Sequence, residues 1–292
     1  MVCGCIDIGT NTTRLLVAEP ARDGLREVLA LRVFTRVRRA LAPDGTIPPP
    51  AVRALADVVA AQARAAREAG ADRLELVATA LVRDAPNRAE LAAELRRRTG
   101  LALRVLPADE EARLAFLGAT RTWAPRPAGS VAVVDLGGGS TELAVGTVDG
   151  GVAWLRSVPV GSARLVDEHV RGDPPAAAEL AALRAGAAAA FAAVRPPPAG
   201  LALAVGGSAT SMRRLCGATL DAPGLAAALA AVTAGPCAEV AARHGLDPER
   251  VRLLPGALAV LEQAARVLAT PLALSRGGLR EGIILSAIDR EQ

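Results

Sequence analysis

Two apolar runs along this chain end in glycine-containing turns of the same plan. Val131–Val134 is continuously apolar, which is typical of a buried strand, and it leads into an aspartate, three glycines and two hydroxyl residues before a second apolar run. Residues 5–18 follow the same order, at an offset of 128 residues (135 − 7). The matched positions are Asp7 and Asp135, Gly9 and Gly137, Thr12 and Ser140, Thr13 and Thr141, and Leu15 and Leu143. The repeat predicts two similar strand–turn–strand hairpins in two similar domains, with a ligand cleft between them.

The remaining hydrophobic pattern predicts alternating strands and helices around each hairpin. Asn87 with Glu90 resembles a capping box, Asp109 is the predicted N-cap of a further helix, and Gly70 and Gly100 are helix stops. The predicted strands are 3–8, 14–19, 25–34, 74–80, 101–106, 131–136, 142–148, 152–158 and 201–205. The predicted helices include 51–69, 87–100, one opening at 109, 176–194, broken helices over 223–268 and a last helix after Gly282.

A linker rich in proline and glycine, residues 124–129, separates the two halves. We therefore predict an N-terminal domain over residues 1–125 and a C-terminal domain over 126–281. The fold class is α/β, and a length of 292 residues fits two domains.

Composition narrows the possible functions only slightly. The chain has 51% hydrophobic and 2% aromatic residues, and all 34 basic residues are arginine, so charge counts alone select no arginine. A net charge of +4 permits a polyanionic ligand without requiring one. The four cysteines lack zinc spacing, and Cys3 and Cys5 share a strand face, which indicates buried free thiols in a reducing cytoplasm. We expect no signal peptide and no membrane span, and a chain without lysine cannot supply a Walker A motif.

Glycine-rich turns after strands suit phosphate chemistry, because their N–H groups can converge on an anion. An aspartate at the strand end could hold Mg²⁺, which prefers oxygen ligands. The alternative is an ordinary hairpin turn, and the second copy favours the functional interpretation. Gly206-Gly207-Ser208 opens a helix and predicts a third anion-binding turn, although a tight packing turn would have the same residues. The predicted phosphate-binding residues are Gly9, Thr10, Asn11, Thr12, Gly137, Gly138, Gly139, Ser140, Thr141, Gly206, Gly207 and Ser208.

Six segments in order carry a resemblance to a known family. They are Asp7–Thr12, Arg83–Asn87, Glu110-Glu111-Ala112-Arg113-Leu114, Asp135–Glu142, Gly206–Thr210 and Gly278-Leu279-Arg280-Glu281-Gly282. The chain resembles the exopolyphosphatase and guanosine pentaphosphate phosphohydrolase family, in a short two-domain form, within the actin-like ATPase superfamily. The resemblance implies two ribonuclease-H-like domains with an interdomain cleft, and a last helix, about 282–292, that packs back on the first domain.

The resemblance also implies site roles. Glu111 would be the general base, with Glu110 as the other candidate, although acids in a first helical turn are also favoured by the helix dipole alone. Arg83 would clamp phosphate, because its fork suits phosphate oxygens. The candidates for holding Mg²⁺ are Asp7, Asp135 and Glu142. The chain departs from the family in having Thr10 and Thr12 where serines are common. We also expect it to lack the helical C-terminal region of longer members, which puts processivity on long chains in doubt.

Three classes of function compete. The leading one is an Mg²⁺-dependent exopolyphosphatase, with guanosine pentaphosphate (pppGpp) 5′-phosphohydrolase, a stringent-response activity, as the alternative at the same site. A kinase of the same superfamily would transfer the phosphoryl group to an acceptor, but no acceptor-binding insert is recognisable. A non-catalytic polyphosphate- or nucleotide-binding regulator is the third. The expected partners are inorganic polyphosphate or (p)ppGpp and a second copy in a homodimer, with no nucleic acid and no membrane, in the cytoplasm.

Overall fold

A computed structural model describes residues 1–22 and 24–291, which form two sheets with helices packed around them. The first sheet contains β1 (Cys3–Ile8), β2 (Thr13–Ala21), β3 (Gly24–Val33), β4 (Arg73–Ala78) and β5 (Leu103–Val105), in the order β3-β2-β1-β4-β5. The first three strands form an antiparallel meander, and β4 and β5 extend it in parallel from β1. The meander predicted from residues 3–36 is therefore present.

Five helices accompany the first sheet in sequence. They are α1 (Val37–Ala40), α2 (Pro49–Glu68), α3 (Ala80–Asp84), α4 (Arg88–Thr99) and α5 (Ala108–Arg121). The apolar stripe of α2, including Leu55 and Val59, packs with Ile6, Ile8 and Leu15 of the sheet into one buried cluster. One face of the first sheet is thereby covered.

The second sheet repeats this plan with one more strand. It contains β6 (Val131–Leu136), β7 (Thr141–Thr147), β8 (Gly151–Val158), β9 (Leu201–Val205), β10 (Thr219–Leu220) and β11 (Leu272–Leu274), in the order β10-β11-β9-β6-β7-β8. Again the first three strands form an antiparallel meander, and β9 pairs in parallel with the first of them. The predicted two-sheet α/β architecture is confirmed.

Seven helices follow β8. They are α6 (Ser162–His169), α7 (Ala177–Phe191), α8 (Gly207–Cys216), α9 (Ala222–Val232), α10 (Cys237–His244), α11 (Pro248–Leu268) and α12 (Leu279–Asp289). The long α11 supplies the centre of the largest core, where Leu254, Ala257 and Leu261 meet the sheet residues Val134 and Leu272. Among the described residues, no single helix is long and apolar enough to cross a membrane; only the bent pair α9–α10 passes on length and composition.

Two helices are exchanged between the halves. Helix α5 packs on the second sheet through Ala112, Phe116 and Ala119, whereas α12 packs on the first sheet through Ile283 and Ile284. The predicted boundary between residues 125 and 126 stays a prediction, and residue 292 lies outside the described residues.

The exchanged helices touch each other at glycines. A Cβ atom on Gly118 of α5 would lie 1.9 Å from the Gly278 carbonyl oxygen, and one on Gly282 of α12 would lie 1.8 Å from the Leu114 carbonyl oxygen. Only glycine permits two backbones to approach this closely. The crossing therefore joins one helix of each half by direct backbone contact.

Two local predictions are wrong in part. Asn87 occupies the N-cap position of α4, as predicted, and its amide donates to Glu90 at 3.3 Å, but its side chain makes no capping hydrogen bond. It pairs instead with both backbone groups of Ile47, at 3.0 and 2.9 Å. Helix α5 begins one residue before Asp109, with Pro107 at the N-cap position, so Asp109 lies in the first turn. Cys3 and Cys5 are buried free thiols, as predicted.

Candidate active site

The β1–β2 and β6–β7 turns have the same geometry. The Gly9 amide donates to the Thr12 carbonyl at 3.0 Å, and the Gly137 amide donates to the Ser140 carbonyl at 3.0 Å. Asp7 lies opposite Arg14 across the first hairpin, and Asp135 lies opposite Glu142 across the second. The repeat seen in the sequence is therefore a structural repeat, with one difference in charge.

The two turns meet across the cleft. The Thr10 side chain of the first turn lies against Gly138 and Gly139 of the second, where a Cβ atom would come within 3.1 Å of it. A cavity of about 110 Å³ opens beside them. We call it the chain cavity, and its lining includes the predicted residues Asp7, Gly9, Thr10, Asn11, Thr12, Glu111, Asp135, Gly137, Gly138, Gly139, Ser140, Gly206, Gly207 and Ser208. Most of the predicted site residues are thus brought together.

Asp7 and Asp135 line this cavity, and Glu142 lies buried opposite Asp135 on the next strand. Burial raises the pKa of Asp7, opposed by the nearby Arg14 guanidinium. Burial, with the neighbouring Glu142 and Asp7 carboxylates, raises the pKa of Asp135 to about 7. Burial also raises the pKa of Glu142, opposed by hydrogen bonds from Ser157, at 2.8 Å, and Ser140. Such a group of like charges favours a bound cation.

Glu111 is the buried acid of the α5 motif. Its pKa is raised well above its usual value, first by burial and then by Glu142 and Asp135. Arg83 donates to its Oε2 at 3.1 Å and to the Leu106 carbonyl oxygen at 2.7 Å. Arg83 thus holds the Glu111 carboxylate in place, and it does not line the chain cavity.

Four predicted site residues do not line this cavity: Arg83, Glu142, Glu110 and Thr141. Glu110 points away from it and pairs with Arg104 of β5, because adjacent positions on a helix point about 100° apart. Thr141 is fully buried, and its hydroxyl donates to the Val160 carbonyl oxygen at 2.6 Å. Thr141 therefore stabilises the second hairpin, and its place among the phosphate ligands was wrong.

The residues predicted to hold Mg²⁺ fit a cation in one respect. Asp7 Oδ1 is buried, and no donor among the described residues reaches it. Within residues 1–22 and 24–291, no three acidic, histidine or cysteine side chains are already gathered at metal-binding geometry. Mg²⁺ commonly uses one or two carboxylates together with waters and substrate phosphates, so the donor set suits a cation that arrives with a phosphate ligand.

Comparison with known proteins agrees with this geometry. The model of the Ppx/GppA phosphatase family matches residues 16–291. The chain belongs to the Ppx/GppA phosphatase family. A Mycobacterium tuberculosis protein named Exopolyphosphatase 1 is 33% identical to this Ppx/GppA chain over 310 aligned residues, covering 100% of the chain and 89% of that relative.

Other relatives extend the comparison. An Aeromonas hydrophila protein named guanosine-5′-triphosphate,3′-diphosphate pyrophosphatase is 27% identical over 164 residues, covering 56% of the chain and 32% of that protein. A solved exopolyphosphatase-like protein superposes with a TM-score of 0.86 at 28% identity, covering all of both chains. The Aquifex aeolicus family member superposes with a TM-score of 0.83 at 24% identity over 100% of this chain and 99% of its own, which shows the shared fold.

Two arginines of this Ppx/GppA site were not predicted from the sequence: Arg14, which is partly buried, and Arg250, which is buried. Arg14 of β2 and Arg250 of α11 both approach Gly207, where a Cβ atom would lie 1.5 Å from Arg14 Nη2 and 2.9 Å from Arg250 Nη2. Burial and Arg280 lower the pKa of Arg14 to about 10, and burial and Arg14 lower that of Arg250 to about 9. Two like charges at a helix N-terminus favour an anionic ligand.

Arg250 is open to such a ligand. No acceptor among the described residues takes a hydrogen bond from its Nε or Nη2, and only a 3.4 Å contact joins its Nη1 to Ser208. Arg14 had a signal in the sequence, because it occupies the position of Glu142 in the repeat. Arg250 had none, since it is one of 34 arginines and lies outside every recognised motif.

Proposed function

We propose that this chain is an exopolyphosphatase, which hydrolyses the terminal phosphoanhydride bond of inorganic polyphosphate with Mg²⁺ and releases orthophosphate. The observation that carries the proposal is the Glu111 carboxylate. It is buried, its pKa is raised, and Arg83 fixes it at the wall of a cavity formed by two glycine-rich turns. This is the arrangement that activation of a water molecule beside a bound phosphate needs.

The names of relatives support polyphosphate as the substrate. The Exopolyphosphatase 1 relative aligns with the whole chain, whereas the guanosine relative aligns with 56% of it at lower identity. Polyphosphate and guanosine pentaphosphate both present a terminal phosphoanhydride, so the phosphate-release experiment below includes guanosine pentaphosphate as a second substrate.

The reaction follows from the positions of the residues. The turn amides at Gly9–Thr12 and Gly137–Ser140 bind the terminal phosphoryl oxygens. Glu111 takes a proton from a water molecule while the water oxygen forms a bond to phosphorus. The bridging P–O bond breaks on the opposite side, and its electron pair leaves on the shortened polyphosphate. A positioned general base of this kind contributes about 10²–10⁴-fold to the rate.

Asp7, Asp135 and Glu142 would hold Mg²⁺, which supplies charge neutralisation at the phosphate oxygens. Arg14, Arg250 and the N-terminus of α8 bind the rest of the polyphosphate. Their guanidinium groups are always charged, and each can donate two parallel hydrogen bonds to phosphate oxygens.

Phosphate release tests the proposal directly. Tripolyphosphate, long-chain polyphosphate and guanosine pentaphosphate are incubated separately with the protein, with Mg²⁺ and with EDTA. We expect Mg²⁺-dependent release from polyphosphate that exceeds release from guanosine pentaphosphate. Release from guanosine pentaphosphate alone would contradict the exopolyphosphatase proposal and indicate the nucleotide phosphohydrolase activity. No release from any of the three substrates would contradict both activities and favour a non-catalytic binding protein.

The base is tested by Glu111→Gln, which keeps size and hydrogen bonding and removes the carboxylate. Hydrolysis should fall about 10²–10⁴-fold, or roughly 3–5 kcal/mol, while polyphosphate still binds. Glu110→Gln is the matched control in the neighbouring position, because Glu110 faces Arg104 outside the cavity. It should cost the helix-dipole contribution of about 0.3–1 kcal/mol to stability and a partly exposed ion pair with Arg104 of about 0.2–1 kcal/mol, with no loss of hydrolysis. Equal loss in both variants would contradict the assignment of Glu111 alone.

A further inference from the structure

A second cavity lies on the other side of the two phosphate-binding turns. It has a volume of about 220 Å³, and its lining includes Thr10, Gly139 and Ser140, which also line the chain cavity. We call it the rear cavity. The wall between the two cavities is therefore the pair of turns that hold the terminal phosphoryl group under the proposed function.

The strand order of the second sheet shows at which edge of that sheet each cavity lies. In the second sheet the order β9-β6-β7-β8 runs from Gly206, past Asp135 and Glu142, to Ser157. Gly206 and Gly207 line the chain cavity on the β9 side, and Ser157 and Pro159 line the rear cavity on the β8 side.

The first sheet gives the same direction independently. Its order β2-β1-β4 leads from Arg14, which lines the chain cavity, to Arg83 after β4, which lines the rear cavity. The two cavities thus lie at opposite ends of one axis along the cleft.

The rear cavity is lined by three arginines, Arg38, Arg83 and Arg164, with Asp84 as its acidic lining residue. Arg164 Nε contacts Glu168 at 3.0 Å, and Arg38 Nη2 contacts the same residue at 3.7 Å. The Arg164 and Glu168 side chains are 43% and 44% exposed. Exposed ion pairs contribute little free energy, so a phosphate ion can replace Glu168 as the partner at small cost.

In-line displacement assigns the two ends of the axis. The attacking water and the leaving chain lie on opposite sides of the phosphorus atom. The shortened chain remains with Arg14 and Arg250. Glu111 lines the chain cavity but is held by Arg83 at 3.1 Å, so the water that it activates lies on the Arg83 side of the phosphorus atom. The shortened polyphosphate then blocks the departure of the new orthophosphate through the chain cavity. On its other side the orthophosphate faces the arginines of the rear cavity.

We propose that the rear cavity is the exit site for orthophosphate, with Arg164 and Arg38 as its binding residues. Release through it would let the shortened polyphosphate stay bound for the next cycle. The proposal rests on the proposed function for the direction of travel, but not for phosphate binding itself.

Two variants of opposite sign test it. Arg164→Gln removes a phosphate-binding group, and Glu168→Gln removes a carboxylate that competes with phosphate for Arg164 and Arg38. Asp167, whose Oδ2 lies 3.5 Å from Arg38 Nε, remains in both variants. The matched controls are Arg184→Gln and Glu262→Gln. These residues form an exposed ion pair of similar length, 3.1 Å against 3.0 Å, on α7 and α11, outside the rear-cavity lining. Orthophosphate inhibition of tripolyphosphate hydrolysis is measured for each, with binding of radioactive orthophosphate by equilibrium dialysis.

We expect mixed inhibition by orthophosphate in the wild type, because the product binds while the chain is bound. Arg164→Gln should weaken inhibition and binding about 3–10-fold, the value of one ordinary hydrogen bond, because the Arg164 side chain is partly exposed to solvent. Glu168→Gln should strengthen both. KM for tripolyphosphate should stay within about twofold of wild type in both, and the controls should match wild type.

An unchanged inhibition constant with a raised KM in Arg164→Gln would make the rear cavity a substrate path and overturn the proposal. Unchanged orthophosphate binding in both variants would overturn it as well. If the protein hydrolyses none of the substrates, the proposed function fails, and the dialysis result still decides whether the rear cavity binds phosphate.

Discussion

In the β1–β2 hairpin the residue opposite the aspartate is Arg14, whereas in the β6–β7 hairpin it is Glu142. The strand register, the turn hydrogen bond and its 3.0 Å length are otherwise the same. One hairpin therefore presents a carboxylate beside a guanidinium, and the other presents two carboxylates. The first pair is neutral overall and includes a guanidinium that can face a phosphate chain, whereas the second pair has two like charges and needs a cation.

This difference explains why two copies of one hairpin are useful in one site. The pKa of Asp7 is raised by burial against the lowering effect of Arg14, while the pKa of Asp135 is raised by burial and by Glu142 together. A phosphate with its Mg²⁺ would supply an anion for the first hairpin and a cation for the second at once. One position of the repeat, Arg14 in the first hairpin and Glu142 in the second, thus distinguishes the two. We call the β1–β2 hairpin the anion-binding arm and the β6–β7 hairpin the cation-binding arm.

Among changes to the two hairpins, the largest effect is expected from removing charge in the β6–β7 hairpin, the cation-binding arm. Glu142→Gln keeps the Ser157 hydrogen-bonding partner in place and removes one of the two carboxylates. We expect kcat to fall about 10²–10³-fold, with partial recovery at raised Mg²⁺. A Mg²⁺ titration of phosphate release measures this. A wild-type rate at every Mg²⁺ concentration would remove Glu142, and with it the contrast between the arms.

The next effect concerns stability against pH in the absence of divalent cations. The pKa of Asp135 is about 7 in the fold and 3.8 without it, so the folded chain holds more protons between these values. The free energy of unfolding should therefore fall as pH rises from about 4 to 7, by roughly 2–4 kcal/mol.

Denaturant unfolding in EDTA at pH 5 and pH 8 measures this decrease. Asp135→Asn should flatten the dependence, and saturating Mg²⁺ should flatten it in the wild type. A decrease of the same size in Asp135→Asn would assign it to Asp7, Glu111 or Glu142 instead.

A smaller effect is expected in the anion-binding arm. Arg14→Gln leaves Glu111 and the metal-binding carboxylates in place, so KM for polyphosphate should rise about tenfold while kcat changes little. Steady-state kinetics over a range of salt concentrations should also show a weaker salt dependence of KM in the variant, because one cation has been removed. A loss confined to kcat would place Arg14 in the chemical step.

The smallest effect is expected from Gly207→Ala. The added Cβ would lie 1.5 Å from Arg14 Nη2, so the guanidinium must move while every charge remains. KM should rise about threefold, less than in Arg14→Gln, because a displaced guanidinium keeps part of its attraction to phosphate. A rise equal to that of Arg14→Gln would mean that the position of Arg14, and not only its charge, determines binding.

The sequence predicted the fold well because the hairpin repeat and the glycine turns are local signals. It could not choose between Glu110 and Glu111, since that choice depends on where α5 starts and which side it turns to the cleft. Arg250 reaches the site from α11 through long-range packing, which no local pattern records. The Mg²⁺ requirement, the homodimer and the cytoplasmic location stay predictions.

The exchange of α5 and α12 has a consequence for how the chain is made. The cysteine-bearing face of the first sheet, with Cys3, Cys5 and Leu16, is covered by a helix that is synthesised about 270 residues later. During translation α12 cannot cover this face until residues 279–289 have left the ribosome, whereas α5 is made before the strands of the second sheet, on which it packs. The nascent N-terminal half is therefore the stretch that a chaperone would have to shield, and folding of the first sheet finishes last although it is made first.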